Sequence, residues 1–178
     1  MTEKIAILVD SGSDVPKSVL DANPNIAVVP LNITMNGHNY LDAVDITPDE
    51  FYSALATAET LPKTSSPSPH AAKEALAGLF AAGYTQILGI TISSALSVTH
   101  HVFQLAAEEF PDKQITILDT KSIGIGSGIQ VAYATSLINA GESFQTLVAK
   151  VEASIVKSRI YFYVPTLKYL SAGGRIGR

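Results

Sequence analysis

Three runs of hydroxyl side chains stand out in this chain of 178 residues. PKTSSPSPH (62–70) sets Thr64, Ser65, Ser66 and Ser68 among three prolines, next to Lys63. TISSALSVT (91–99) holds five hydroxyls in nine residues, Ser93 and Ser94 among them. Asp119-Thr120-Lys121-Ser122 follows an apolar run, much as Asp10, Ser11 and Ser13 follow another near the start. Neutral O–H donors suit an anion, because a hydrogen bond to a charged group contributes about 1.5–3 kcal/mol. A helix N-terminus adds unpaired N–H groups and the positive end of a dipole. A carboxylate or a phosphate is the ligand class this chemistry favours. Taken singly, each hydroxyl is an ordinary helix cap, and Ser68 ahead of Pro69 reads as one. The two clusters around Thr64-Ser65 and Ser93-Ser94 together carry the case for a site.

Other chemistries fit less well. There is no cysteine, which excludes disulfides, thiol catalysis and zinc–thiolate centres. His38, His70, His100 and His101 are present, but no G-x-S-x-G surrounds a strand-to-helix serine. His100 and His101 are adjacent, so they do not form an i, i+4 metal pair. GIGSG (124–128) opens a helix after a strand and resembles a phosphate cradle. It is not G-x-G-x-x-G, and no P-loop lysine follows it. An enzyme acting on a phosphorylated small molecule or a nucleotide, using GIGSG and Asp119, stays open as the alternative.

The elements that must position these residues are legible in outline. KIAILVD (4–10) is a buried strand, and a short helix covers about 16–21. NIAVVPLNIT (25–34) is strand-like, with Pro30 marking an edge or a break. Asn36-Gly37 is a hairpin turn, with HNYLD as the return strand. Thr47, Pro48 and Glu50 make a capping box for a helix over 47–58. Ser68 starts a second helix that Gly83 ends. Strands follow at 85–92 and 114–120, 93–110 is a loop turning into a helix, and helices cover 126–141 and 143–158. RIYFYVP (159–165) reads as a further strand, followed by a helical turn over 166–174. From residue 68 the order α-β-α-β-α-α-β predicts an α/β fold with a mostly parallel sheet flanked by helices. In such sheets, ligands sit beyond the carboxyl ends of the strands, where the hydroxyl runs fall. Residues 1–158 are expected to form one α/β domain and 159–178 to begin a second, truncated α/β domain.

Composition bounds the rest. Apolar residues make up 47% and charged residues 16%, which describes a core-rich folded chain. Net charge is −4 with no Lys/Arg block, so no nucleic-acid partner is expected. No apolar run approaches the ~18 residues of a membrane span. The opening MTEKIAILVD is a strand and not a signal peptide, so a cytoplasmic location is expected.

Seven motifs in order carry a family resemblance: DSGSD, PLNI, YLDAVDIT, KTSSPSP, TISSALSVTHH, LDTKSIGIGSG and YFYVPTLKYLSAGGRIG. Together they resemble the DegV family of fatty-acid-binding proteins over essentially the whole chain. The resemblance implies two α/β domains with a long-chain fatty acid between or beneath them. It implies a lipid-binding protein with no catalytic residues, no cofactor and no metal, the fatty acid being its ligand. The partner it implies is a fatty acid kinase subunit, which receives the acid and forms an acyl phosphate. Carried over by motif, Thr64 and Ser65, Ser93 and Ser94, and Arg175 of the glycine-rich turn hold the carboxylate. Two departures stand out. Val98 replaces the family's usual glycine in the second hydroxyl loop, and family members continue well past the GGRI motif.

Overall fold

The computed structural model describes residues 3–58 and 60–176. Its centre is a parallel sheet of four strands in the order β2-β1-β6-β7. These are β1 (Ile5–Asp10), β2 (Ile26–Val29), β6 (Gln86–Thr91) and β7 (Gln114–Asp119). Side chains alternate across the pleat, and that alternation sorts the core into two layers. Ile5, Ile7 and Val9 of β1, with Leu88 and Ile90 of β6, pack under α5 (Ile125–Asn139) and α6 (Phe144–Lys157). Ala6, Leu8 and Ile87 face the other way, onto α3 (Pro69–Ala81) and α4 (Thr99–Glu108). Phe103 is the largest side chain in the molecule to be fully buried among the described residues. Both faces of β1 are covered, which is why IAILV carries no polar residue.

A second, antiparallel sheet has the order β4-β3-β5, from β3 (Asn32–Met35), β4 (His38–Leu41) and β5 (Lys63–Ser65). Its apolar residues Ile33 and Met35 pack with Ile46 against Phe51 and Ala54 of α2 (Pro48–Leu55). The run 25–34, expected as one strand, is divided: β2 belongs to the parallel sheet and β3 to the antiparallel one. Pro30 sits at the switch, where its missing N–H breaks no ladder. Asn36 and Gly37 turn the β3–β4 hairpin with φ of 51° and 79°, as a primed turn requires.

Both proline-marked helix starts are present. Thr47 and Glu50 form the reciprocal capping box of α2. The Ser68 hydroxyl accepts from the Ala71 N–H at 3.0 Å at the head of α3. Ser68→Ala is expected to lower stability by about 1 kcal/mol, read as an earlier denaturation midpoint at unchanged slope.

Two expectations are corrected. Within PKTSSPSPH, where no strand is expected, Lys63–Ser65 form β5 and pair antiparallel with β3. Residues 159–165 do not form a strand. They pair with no strand among the described residues, and a strand persists only where its N–H and C=O groups find a ladder. Tyr161 and Tyr163 there are 90% and 89% exposed. The chain then turns through α7 (Lys168–Ala172) into Gly173 and Gly174. Residues 177–178 of the expected second unit lie outside the described residues.

Candidate functional site

The predicted site residues fall into two groups. The first lies on the small sheet. In β5, Thr64 is opposite Ile33 and Ser65 is opposite Asn32. Adjacent side chains on an extended strand point to opposite faces, so Thr64 shares the face of Ile33 and Ser65 takes the other. The two hydroxyls therefore project from opposite faces of β5. Among the described residues, neither hydroxyl has a hydrogen-bond partner in the protein. Thr64 lines a cavity of about 390 Å³ together with Leu61, Pro62, Lys63, Gly173 and Arg175. The turn after α7 brings Arg175 there, and its Nη1 donates to the Gly173 carbonyl at 2.7 Å. Lys63, which the motif reading passed over, also lines this cavity. The only signal for it was its place next to Thr64.

The second group occupies the carboxyl ends of β1, β6 and β7. Ser93 is buried, and its Oγ accepts from the Ala95 N–H at 3.2 Å. Ser94 is exposed, and its Oγ donates to Asp119 Oδ2 at 2.6 Å. Asp119 Oδ1 also accepts from the N–H groups of Ser94 and Lys121, at 3.2 and 2.9 Å. Burial pushes the Asp119 carboxyl up, but these hydrogen bonds and nearby His100 outweigh it, so its pKa lies below the ordinary value. Asp119 was singled out as a chemical residue, yet its bond to a serine 25 positions earlier is invisible until β6 and β7 lie side by side.

The hydroxyls behind this surface serve the fold. Thr120 Oγ1 donates to the Thr91 carbonyl at 2.8 Å and meets Ser127 Oγ at 2.7 Å. Thr91 Oγ1 pairs with His100 Nδ1 at 3.2 Å, and Ser11 Oγ accepts from the Leu31 N–H at 3.0 Å. Asp10 is fully buried, with Oδ2 accepting from the Ile92 N–H at 2.9 Å. Desolvation raises its pKa to about 6 against the opposing effect of backbone N–H groups from Ile92, Asp10 and Gly12. Its Oδ1, like Ser13 Oγ, is buried without a protein partner among the described residues.

The glycines of GIGSG have packing roles. Gly124 has φ 56°, in the region that favours glycine. A Cβ on Gly128 would stand 2.5 Å from the Ser13 carbonyl oxygen and 2.9 Å from that of Asp14. The N–H groups of Gly126, Ser127 and Gly128 already donate to the carbonyls of Ile123 and Gly124. They are not aimed at a phosphate. Val98 causes no strain at its unusual place: its φ and ψ are −78° and 4°, open to a branched residue. No helix among the described residues is long and apolar enough to cross a membrane.

Comparison with known proteins adds an independent line. The family model described as uncharacterised protein, DegV family, matches residues 4–178. A DegV domain-containing protein of Clostridium acetobutylicum is 38% identical over 176 residues, covering 99% of this chain and 62% of that protein. Among solved structures, a fatty-acid-binding DegV family protein from Thermus thermophilus superposes with a TM-score of 0.85 at 33% identity. The match covers 98% of this chain and 61% of that one. A stearic-acid-binding protein from Eubacterium ventriosum superposes with a TM-score of 0.89 at 30% identity, covering 97% of this chain and 60% of that one. The chain thus spans about three fifths of the length of these relatives.

Proposed function

The chain belongs to the DegV family, and on that premise we propose that it binds a long-chain fatty acid through hydroxyl and guanidinium donors at the acid's head. The observation that carries this reading is Thr64 and Arg175 lining one cavity, in a chain superposing on fatty-acid-binding relatives over nearly its whole length. Thr64 supplies an uncommitted O–H and Arg175 a cation, while Ser93 and Ser94 provide the second hydroxyl surface. Ser65, the neighbour of Thr64 on β5, is the other hydroxyl of this strand in the reading. The acyl tail needs a dry wall, where each buried CH₂ contributes roughly 0.8 kcal/mol.

In this reading the protein is a carrier and not a catalyst, and it works without a metal or cofactor. It offers the acid head to a fatty acid kinase subunit in the cytoplasm. Residues 159–178 begin a second domain, and the exposed Tyr161, Phe162 and Tyr163 are the surface that domain would cover. Their exposure supports the assignment, since contiguous aromatics are seldom left in water.

Solvent extraction of the purified protein followed by mass spectrometry is expected to release a fatty acid. Losing a hydrogen bond worth about 1–3 kcal/mol, Thr64→Ala is expected to weaken hexadecanoic acid binding by roughly fivefold to a hundredfold, with thermal stability unchanged. Equal affinity in parent and variant would remove Thr64 from the site. An ATP-induced rise in melting temperature, with no extracted lipid, would favour the nucleotide alternative.

A further inference from the structure

We infer that Asp119 makes Ser94 an acceptor toward the ligand, so that this loop holds the acid head in its uncharged carboxylic form. The inference rests on the fatty-acid reading above and gives it a chemical preference.

A serine hydroxyl has one proton and two lone pairs. An ionised carboxylate only accepts, so the 2.6 Å contact between Ser94 Oγ and Asp119 Oδ2 commits the Ser94 proton to Asp119. Two further N–H groups, from Ser94 and Lys121, hold Asp119 in that position. What Ser94 turns outward is therefore lone pairs, with a negative charge one bond behind them. A ligand carboxylate has only lone pairs to offer in return, and like charges disfavour its approach. A carboxylic acid solves both problems. Its O–H donates to Ser94 Oγ, continuing the chain through to Asp119, and aligned hydrogen bonds of this kind reinforce one another. Its carbonyl oxygen is free to accept from Ser93, whose own proton has no acceptor among the described residues.

The other charged groups nearby compete in sign. His100 lies on α4, Lys121 follows β7, and Asp10 stands behind the Ile92 N–H. Lys63 and Arg175 line the cavity on the small sheet. Cationic groups favour the ionised acid; Asp119 and the Ser94 lone pairs favour the neutral one. The protonation state of the bound acid reports which set prevails.

The test is a pH titration of [1-¹³C]hexadecanoic acid bound to the protein, read from the carboxyl ¹³C shift. In the parent protein the bound carboxyl is expected to titrate at a higher pH than the free acid. Asp119→Asn can donate to Ser94 and turn its proton outward, so the bound midpoint is expected to fall by about one pH unit or more. Should that variant fail to fold, Ser94→Ala removes the lone pairs, leaves Asp119 in place, and is expected to lower the midpoint too. A bound acid that stays ionised at and below the free midpoint overturns the inference while fatty-acid binding stands. An unchanged midpoint in the folded variants also overturns it. No bound resonance in the parent removes the binding reading and this inference together.

Discussion

Gly128→Ala is expected to destabilise the protein by about 1–3 kcal/mol, whereas Gly78→Ala is expected to stabilise it by up to about 1 kcal/mol. Both glycines lie in helices, α5 and α3, so both replacements gain the same helix propensity. They differ in what the new methyl meets. At Gly78 nothing lies within 4 Å. At Gly128 the methyl would press on the carbonyl oxygens of Ser13 and Asp14, which are backbone and cannot rotate aside. Relief requires α5 to move off the 3-10 turn Ser11–Ser13, loosening the loop that follows the central strand. Urea denaturation of the two variants against the parent reads the sign directly. Shifts of the same sign would show that propensity and not close approach governs Gly128.

Asp10 is expected to make stability fall as pH rises between about 4 and 6. Its folded pKa is raised from 3.8 to about 6, chiefly by burial. Across that window the folded protein keeps a proton that the unfolded chain has released, so folding is favoured at the acid end. At about 1.4 kcal/mol per pH unit the displacement corresponds to about 3 kcal/mol, fully lost above the folded midpoint. Asp10→Asn keeps an acceptor for the Ile92 N–H and removes the titration. The stability difference between parent and variant is expected to change by about that amount between pH 3.5 and 7.5. Asp14, raised by burial and by Asp42, acts in the same direction, and Asp119, lowered, acts in the opposite one. Asp119 is common to the two proteins and cancels in the difference, whereas Asp14, whose charge helps raise the Asp10 pKa, cancels only in part. Parallel stability curves would show that the Asp10 carboxyl titrates normally.

The capped helices and the buried strands were legible because their causes are local. Thr47-Pro48-x-Glu50 contains every atom of its capping box, and IAILV announces a strand covered on both faces. Pro30 was legible as an interruption, though not as the point where the chain passes from one sheet to another. Lys63–Ser65 was not legible as a strand. Three exposed polar residues have no apolar alternation, and only the partner strand β3 makes them extended. RIYFYVP errs the other way: its propensity is strong, but no ladder partner lies beside it among the described residues. At the site, residue types were readable and their commitments were not. Nothing near Ser94 in sequence shows that Asp119 takes its proton, and nothing in GIGSG shows that Gly128 yields room to residues more than a hundred positions earlier.

The strand order β2-β1-β6-β7 has a consequence for how the chain is made. The central strand β1 emerges from the ribosome ahead of its partner β6, which follows some eighty residues later, with Ile5 opposite Gln86. At translation rates of about 5–20 residues per second, IAILV waits roughly 4–16 s for that neighbour. It can pair earlier with β2 on one side only, and its most apolar faces stay uncovered until α3 and α5 have been made. The nascent chain therefore passes through a period in which IAILV is already made but covered on one side only, and its apolar residues are then open to unwanted contacts.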